Sequence, residues 1–207
     1  MTMKKIKNAL SVLISDLFVI IRIITGCKIK ASLVSLISPF ASIRTFGSGD
    51  IRVGYKVSVR PNVEITAREG KIKIGSNCFI NRNCMVVSHK EILIEDNVTI
   101  GPGTVIYDHD HDGNGGFNTS PIHISKNVWI GANTTILKGV TIGENATIAA
   151  GSVISKNVPA NVIVIQKKTQ NIERKQIMNN EELIDYFSIV NGRRCRKSSC
   201  KFVIRIV

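Results

Sequence analysis

Aromatic side chains are scarce in this 207-residue chain, which holds one Trp, three Tyr and seven Phe. That argues against a core organised round clustered rings. Ile and Val dominate the apolar content and favour an architecture packed from β-branched residues. Acidic residues are also few: 15 Asp and Glu against 28 Lys and Arg leave a net charge of +13. A surplus of that size implies an anionic partner, whether nucleic acid, acidic lipid or a phosphorylated cofactor or substrate. The cations concentrate in "MKKIK" near the start and "GRRCRKSSCKFVIR" near the end. No basic-plus-aromatic motif of a nucleic-acid reader is present, which argues against DNA or RNA as the partner.

The five cysteines lack the spacing of a disulfide framework or a zinc site. Cys78 and Cys84, six apart, read as small core residues, and Cys195 and Cys200 have no second pair to complete a metal centre. The pattern suits a reducing cytosol. A clean apolar run is missing too. Residues 9–24 follow Lys4, Lys5 and Lys7, but Asp16 and Arg22 interrupt them and no small-x-small cleavage motif follows. This argues against a secretory signal and against a membrane span. Leu10, Leu13, Leu17, Ile20, Ile21 and Ile24 recur at helical spacing and predict an amphipathic helix. Such a helix is expected to pack on the domain or on a neighbouring subunit, or to lie on the inner membrane surface with its lysines near anionic lipid.

What is present is a period of six. Aliphatics recur as Val53, Val59, Ile65; Ile74, Ile80, Val86; Ile94, Ile100, Ile106; Ile124, Ile130, Ile136; and Ile142, Ile148, Ile154. Gly follows at 54, 75, 101, 131 and 143, and small or β-branched residues stand four after most of the aliphatics, from Val57 to Ser152. A helix cannot give this period, and a simple alternating strand would not keep Gly and Asn in one phase. A chain that makes a short strand, turns and repeats fits it, with the aliphatic inward and Gly or Asn at corners that need positive φ. Three such strands make a lap, and laps stack with parallel pairing about 4.8 Å apart. The interruptions near 70–73, 91–93 and 112–123 all follow the third strand of a lap, which puts them at one corner of a three-sided rod.

The run "VWIGANTTILKGVTIGENATIAAGSVISKNVPANVI", residues 128–163, resembles the hexapeptide-repeat acyltransferases, in particular the galactoside and maltose O-acetyltransferases and those acting on capsule or lipopolysaccharide sugars. The resemblance covers about 72–163. It implies a mainly β fold, a left-handed parallel β-helix, which here carries short N-terminal and C-terminal helices, and assembly as a homotrimer. The expected organisation is an N-terminal helix and lead-in over 1–50, the β-helix over 51–165 with a loop at 107–123, and a C-terminal helix and basic tail over 166–207. The C-terminal helix is read from "NNEELIDYFSIV", with Asn180 as its cap and Glu181 and Glu182 in its first turn.

The loop "IYDHDHDGNGGFNTSP", residues 106–121, breaks the repeat with an acidic, glycine-rich, histidine-bearing stretch. Acyl transfer from a thioester to an alcohol needs a base for the hydroxyl proton, and imidazole suits that near neutral pH. Alignment with the galactoside enzyme places the family's base on His111 and a site asparagine on Asn81, with His109 in a supporting place. If 107–111 is extended, His109 and His111 point the same way. Tyr107, Asp108 and Asp110 are candidate acceptor contacts, the aspartates also candidate partners of an imidazole. His89 and His123 are read as structural. Zinc ligation by these histidines is disfavoured, because the spacing differs from that of the β-helical carbonic anhydrases. Asn81 and the loop imidazole are expected to be neighbours beside a crevice shared by two protomers.

The resemblance further implies that acetyl-CoA lies in a groove between subunits, with Ala132 and Ala150 offering backbone contacts, Lys156 near the phosphates and Trp129 closing the groove near the loop. Gln166 and Lys168 replace the family's usual Gly and Pro, so the adenine end is unassigned. The expected function is acetyl transfer from acetyl-CoA, without a metal, to a hydroxyl of a saccharide acceptor in surface polysaccharide synthesis, in the cytoplasm or peripheral to the inner membrane through residues 1–24. The alternatives are an antibiotic or amino-sugar acceptor, and a non-catalytic β-helix scaffold.

Overall fold

The computed structural model describes residues 3–32 and 34–166. A helix, α1 (Met3–Ile24), precedes a three-sided prism of parallel strands. Face one stacks Ile29–Ala31, Asp50–Val53, Lys71–Ile74, Glu91–Ile94, Ile122–Ile124 and Thr141–Ile142. Face two stacks Leu36–Ile37, Ser58–Val59, Phe79–Ile80, Thr99–Ile100, Trp129–Ile130, Thr147–Ile148 and Ile163–Val164. Face three stacks Ser42–Phe46, Glu64–Arg68, Met85–Ser88, Val105–Tyr107, Thr135–Ile136 and Val153–Ile154. The chain runs face one, two, three and back to one, so each lap is a β-helical turn.

The register follows the period of six. Val53, Ile74, Ile94, Ile124 and Ile142 pair in one column, and Ile65, Val86, Ile106, Ile136 and Ile154 in another. These side chains are almost wholly buried. The smaller residues four positions later are buried as well, because the corners leave room only for small or β-branched groups. Their polar atoms are matched to the backbone: Thr134 Oγ1 donates to Gly131 O at 2.8 Å and Ser152 Oγ to Ala149 O at 2.6 Å. Cys78 and Cys84 do the same through Sγ, and burial pushes the Cys78 thiol up to about 11, so both are core groups and not nucleophiles.

Asn recurs at the corner between faces one and two because each lap needs one left-handed residue there, which Asn tolerates. The stacked amides then bond to one another: Asn97 to Asn127 at 3.1 Å, Asn127 to Asn145 at 3.1 Å and Asn145 to Asn161 at 2.9 Å.

The prism starts earlier than expected. Ala31, Ile37 and Ile43 pair with Val53, Val59 and Ile65, so a full lap lies before residue 51. That lap is irregular: Ala31 replaces the large aliphatic, and Val34 holds the left-handed position with φ 71°. Its extra residues at 47–49 fall at the corner between faces three and one, with all the other insertions.

Nor is the N-terminal helix short. It spans 22 residues and covers the open edge of the first lap. Ser15 Oγ donates to Ser35 O and accepts from Ile37 N, both at 2.8 Å, as a neighbouring strand would. Arg22, which interrupts the apolar run in the sequence, donates to Ile43 O through Nε at 2.9 Å and Nη2 at 2.6 Å. At the other end the Gln166 side chain plays the strand's part, accepting from Val153 N at 2.8 Å and donating to Val153 O at 2.6 Å. Lys167, Lys168 and the expected C-terminal helix lie outside the described residues.

Candidate active site

The corner between faces three and one carries an arm. His109–His111 pairs antiparallel with Phe117–Thr119, and the turn at 112–116 closes the hairpin. Asp112 ties the tip by accepting from Asn114 N at 2.8 Å and Gly116 N at 2.9 Å; these two amides hold its carboxyl below the ordinary range. The arm's base is fixed by Ser120 N donating to Asp108 O at 2.9 Å, and its flank by Lys138 Nζ at 3.1 Å from Asp110.

Asp108 is the pivot. Its side chain is fully buried and both oxygens are engaged. Oδ2 accepts from Ser88 Oγ at 2.7 Å and Lys90 N at 2.8 Å, and Oδ1 accepts from His89 N at 2.8 Å. His109 Nδ1 lies 3.3 Å from Oδ1. An expected acceptor contact is therefore a clasp between successive laps, with no carboxylate oxygen left for a sugar hydroxyl. Tyr107 is likewise engaged, its hydroxyl donating to Met85 Sδ at 3.0 Å, and burial with nearby Glu64 raises its pKa.

The two loop histidines differ in setting. The His109 side chain is only 14% exposed and packs 4.1 Å, ring to ring, from His89 and 5.3 Å from Phe117. His111 is exposed at the outer end of the same strand, with Phe117 at 4.9 Å. His89, read from sequence as structural, belongs to this cluster, and its pKa is lowered first by burial and then by His109. The signal was available: His89 follows Ser88, one lap beneath His109, at the corner where every insertion falls. Phe117 and Lys138 carried no such signal, since a hairpin's partner strand and a surface ion pair depend on the loop's path. His123 lies on face one, where Nε2 meets Glu95 at 2.6 Å, outside the cluster as expected. Among the described residues no group of three His, Cys, Asp or Glu side chains is placed to hold a metal.

The remaining candidates stand at the corner between faces two and three. Asn81 follows the strand Phe79–Ile80, with Oδ1 accepting from Arg82 N at 2.9 Å. Ala132 and Ala150 stand at the same corner in later laps, one residue further on than the place equivalent to Asn81, and are joined by Gly151 N donating to Ala132 O at 2.7 Å. Trp129, 57% exposed on face two, borders the same corner. Lys156 alone sides with the arm's corner, in an open cleft of about 240 Å³ that also includes Gln166. Asn81 and His111 are thus not neighbours within one chain, and Trp129 is not beside its own arm. Face three separates the two corners by its strand, Met85–Ser88 in the lap of Asn81 and Val105–Tyr107 in the lap of the arm, roughly 10–13 Å at about 3.3 Å per residue.

The comparisons bear on the repeat. The bacterial transferase hexapeptide (six repeats) profile matches residues 121–156, and the hexapeptide repeat of succinyl-transferase matches residues 71–108. This chain carries the hexapeptide repeat of the bacterial transferases. Galactoside O-acetyltransferase of Escherichia coli is 38% identical over 117 residues, covering 54% of this chain and 57% of that protein. Nodulation protein L of Rhizobium meliloti is 38% identical over 72 residues, 32% of this chain and 39% of its own length. The chain spans less than two thirds of these curated relatives. Among solved structures, AntD, an N-acyltransferase from Bacillus cereus, matches with a TM-score of 0.57 over 80% of this chain and 93% of its own at 22% identity, a likeness of fold alone. The hexapeptide match places the repeats on the prism walls and leaves the arm, residues 109–120, between the two matched segments.

Proposed function

We propose that this hexapeptide-repeat protein transfers an acetyl group from acetyl-CoA to a hydroxyl of a saccharide acceptor in surface polysaccharide synthesis, with His111 as the general base. The observation that carries the reading is the arm itself: an otherwise regular prism departs from its repeat at one corner and presents the exposed His111 imidazole there, on an arm whose base is clasped to the lap below by the buried Asp108 carboxylate. Imidazole removes the acceptor's hydroxyl proton as the oxygen attacks the thioester carbonyl. The tetrahedral oxyanion collapses with cleavage of the C–S bond, and the leaving thiolate takes the proton back from the imidazolium. The products are the acetyl ester and CoA.

The separation of the two corners supports a trimer. One chain holds the histidines at one corner and Asn81, Trp129, Ala132 and Ala150 at another. The full set forms only where the arm of one copy faces the second corner of its neighbour, which a ring of three prisms provides. In that arrangement the Asn81 amide donates to the developing oxyanion, the small Ala132 and Ala150 admit the pantetheine arm, and Lys156 meets a phosphate.

One observation favours His109 as the base instead: its Nδ1 faces the Asp108 carboxylate, which orients the ring and leaves Nε2 as acceptor. Release of CoA from acetyl-CoA, followed with a thiol reagent against panels of sugars, amino sugars and aminoglycosides, separates the readings. Loss of at least a hundredfold in kcat for His111→Ala, with transfer to hydroxyls and not amines, is the expected result. Full activity in His111→Ala together with a dead His109→Ala would move the base to His109. Activity on amines alone would replace O-transfer with N-transfer, and no turnover with any acceptor would favour a scaffold.

A further inference from the structure

The side of α1 turned away from the prism is apolar from Leu10 to Ile24. Leu10, Leu13, Leu17, Ile20, Ile21 and Ile24 follow the three-and-four spacing of one helix face and are each about half exposed or more, with Leu13 at 65% and Ile24 at 78%. The opposite side, with Ser15, Val19 and Arg22, is spent on the first lap. Phe40 at 76% exposure and Leu36 at 44%, both in that lap, extend the apolar surface at the same end of the prism. Large apolar side chains exposed together in this way mark an interaction surface, as scattered single ones do not.

Cations flank α1 along the chain. Lys4, Lys5 and Lys7 fall in the first turns of α1. On the face that begins just after it, exposed Lys30, Arg52 and Lys73 stand in register on adjacent strands. Like charges in register repel one another, and Arg52 alone of the three is paired with a carboxylate, Asp50 at 2.7 Å. Closing this patch on a second copy would bring two such cationic rims together in a protein of net charge +13. An anionic lipid surface instead complements the rim and accepts the aliphatic face. No helix among the described residues is long and apolar enough to cross a membrane, so a helix such as α1 could meet a bilayer only from its surface.

We propose that the outer face of α1 is a docking surface for an anionic lipid bilayer, with the helix lying in the headgroup region and the prism standing on it. The inference does not depend on the transferase reading, because it uses no residue of the arm. The test is sedimentation of the full chain with vesicles of phosphatidylcholine alone or with 30% phosphatidylglycerol (about the anionic content that gives a strong surface potential). Partitioning onto the anionic vesicles is expected to exceed that onto neutral ones by at least about tenfold, and Leu13→Gln/Leu17→Gln/Ile21→Gln is expected to reduce it by at least about tenfold. The basic C-terminal residues are unchanged in that variant, so binding that survives the triple substitution would overturn the proposal. So would equal or absent binding of the wild-type chain to both vesicle types. A smaller assembly by light scattering for the variant would also overturn it, because the face would then be covered by a second copy. Hydrogen exchange on the wild-type chain gives a readout free of any folding defect in the variant: amides of 10–24 should gain protection with anionic vesicles, and unchanged exchange there contradicts the proposal.

Discussion

Replacing Asp108 with Asn isolates the clasp beneath the arm, because it keeps shape and volume while removing a charge and two lone-pair sites. The amide nitrogen must take one of two positions. On the Oδ2 side it faces Lys90 N–H, and on the Oδ1 side it faces His89 N–H. Either way a part-buried backbone donor loses its acceptor and meets another donor. One charge-assisted hydrogen bond is worth about 1.5–3 kcal/mol and a stranded donor costs about 1–3 kcal/mol, so a net loss of about 3 kcal/mol is expected. For a chain of this length each kcal/mol moves Tm by about 2–4 °C, which gives a fall of about 6–12 °C. Circular dichroism melting measures it, and amide exchange at His89 and Lys90 localises it. Asp110→Asn is the control. Asp110 is largely exposed and touches only the Lys138 ammonium at 3.1 Å, a surface pair worth about 0–1 kcal/mol. If Asp108→Asn melts within 1 °C of wild type, or no differently from Asp110→Asn, the clasp contributes no stability and the reasoning fails.

Two further outcomes follow from the same geometry. His89 has its pKa lowered in the folded chain, so as pH falls the unfolded chain takes up its proton first, near the ordinary value of 6.5. The folded state therefore loses stability as pH drops below about 6.5 and levels off once the folded pKa is passed; urea titrations from pH 7.5 to 5 should show this slope, and His89→Gln should flatten it. Gly131→Ala should be severely destabilising, since the new Cβ would lie 2.5 Å from Ala150 N and 2.8 Å from its Cα in the next lap, backbone that has nowhere to move. A variant melting like wild type would mean that the laps are spaced more loosely than described.

The prism was legible because its constraint is one-dimensional. A column such as Ile94, Ile124 and Ile142 has the same neighbours in every lap, so register could be counted from spacing alone. The first lap was hidden because one of its edges meets α1 and not another lap, through Ser15 at Ser35 and Ile37 and Arg22 at Ile43, and the repeat loosens there at Ala31 and Val34. The arm was legible as an interruption and His111 as its candidate base. The role of Asp108 was not, because a buried clasp and an acceptor contact look alike as one Asp in a polar loop, and only the path of 88–90 beneath it decides. The pairing of Asn81 with the imidazole failed within one chain for a topological reason. Counting by laps gave the height along the prism, but the corner depends on position within the lap, and the two residues lie on opposite sides of face three.

The most direct test of the account is a crystal structure of the protein with bound CoA. The account predicts three copies in a ring, with the CoA thiol within about 4 Å of His111 of one copy. The pantetheine should run along Ala132 and Ala150 of the next, and that copy's Asn81 should border the thiol. A thiol lying far from both His109 and His111, or a CoA held by a single copy, would contradict it.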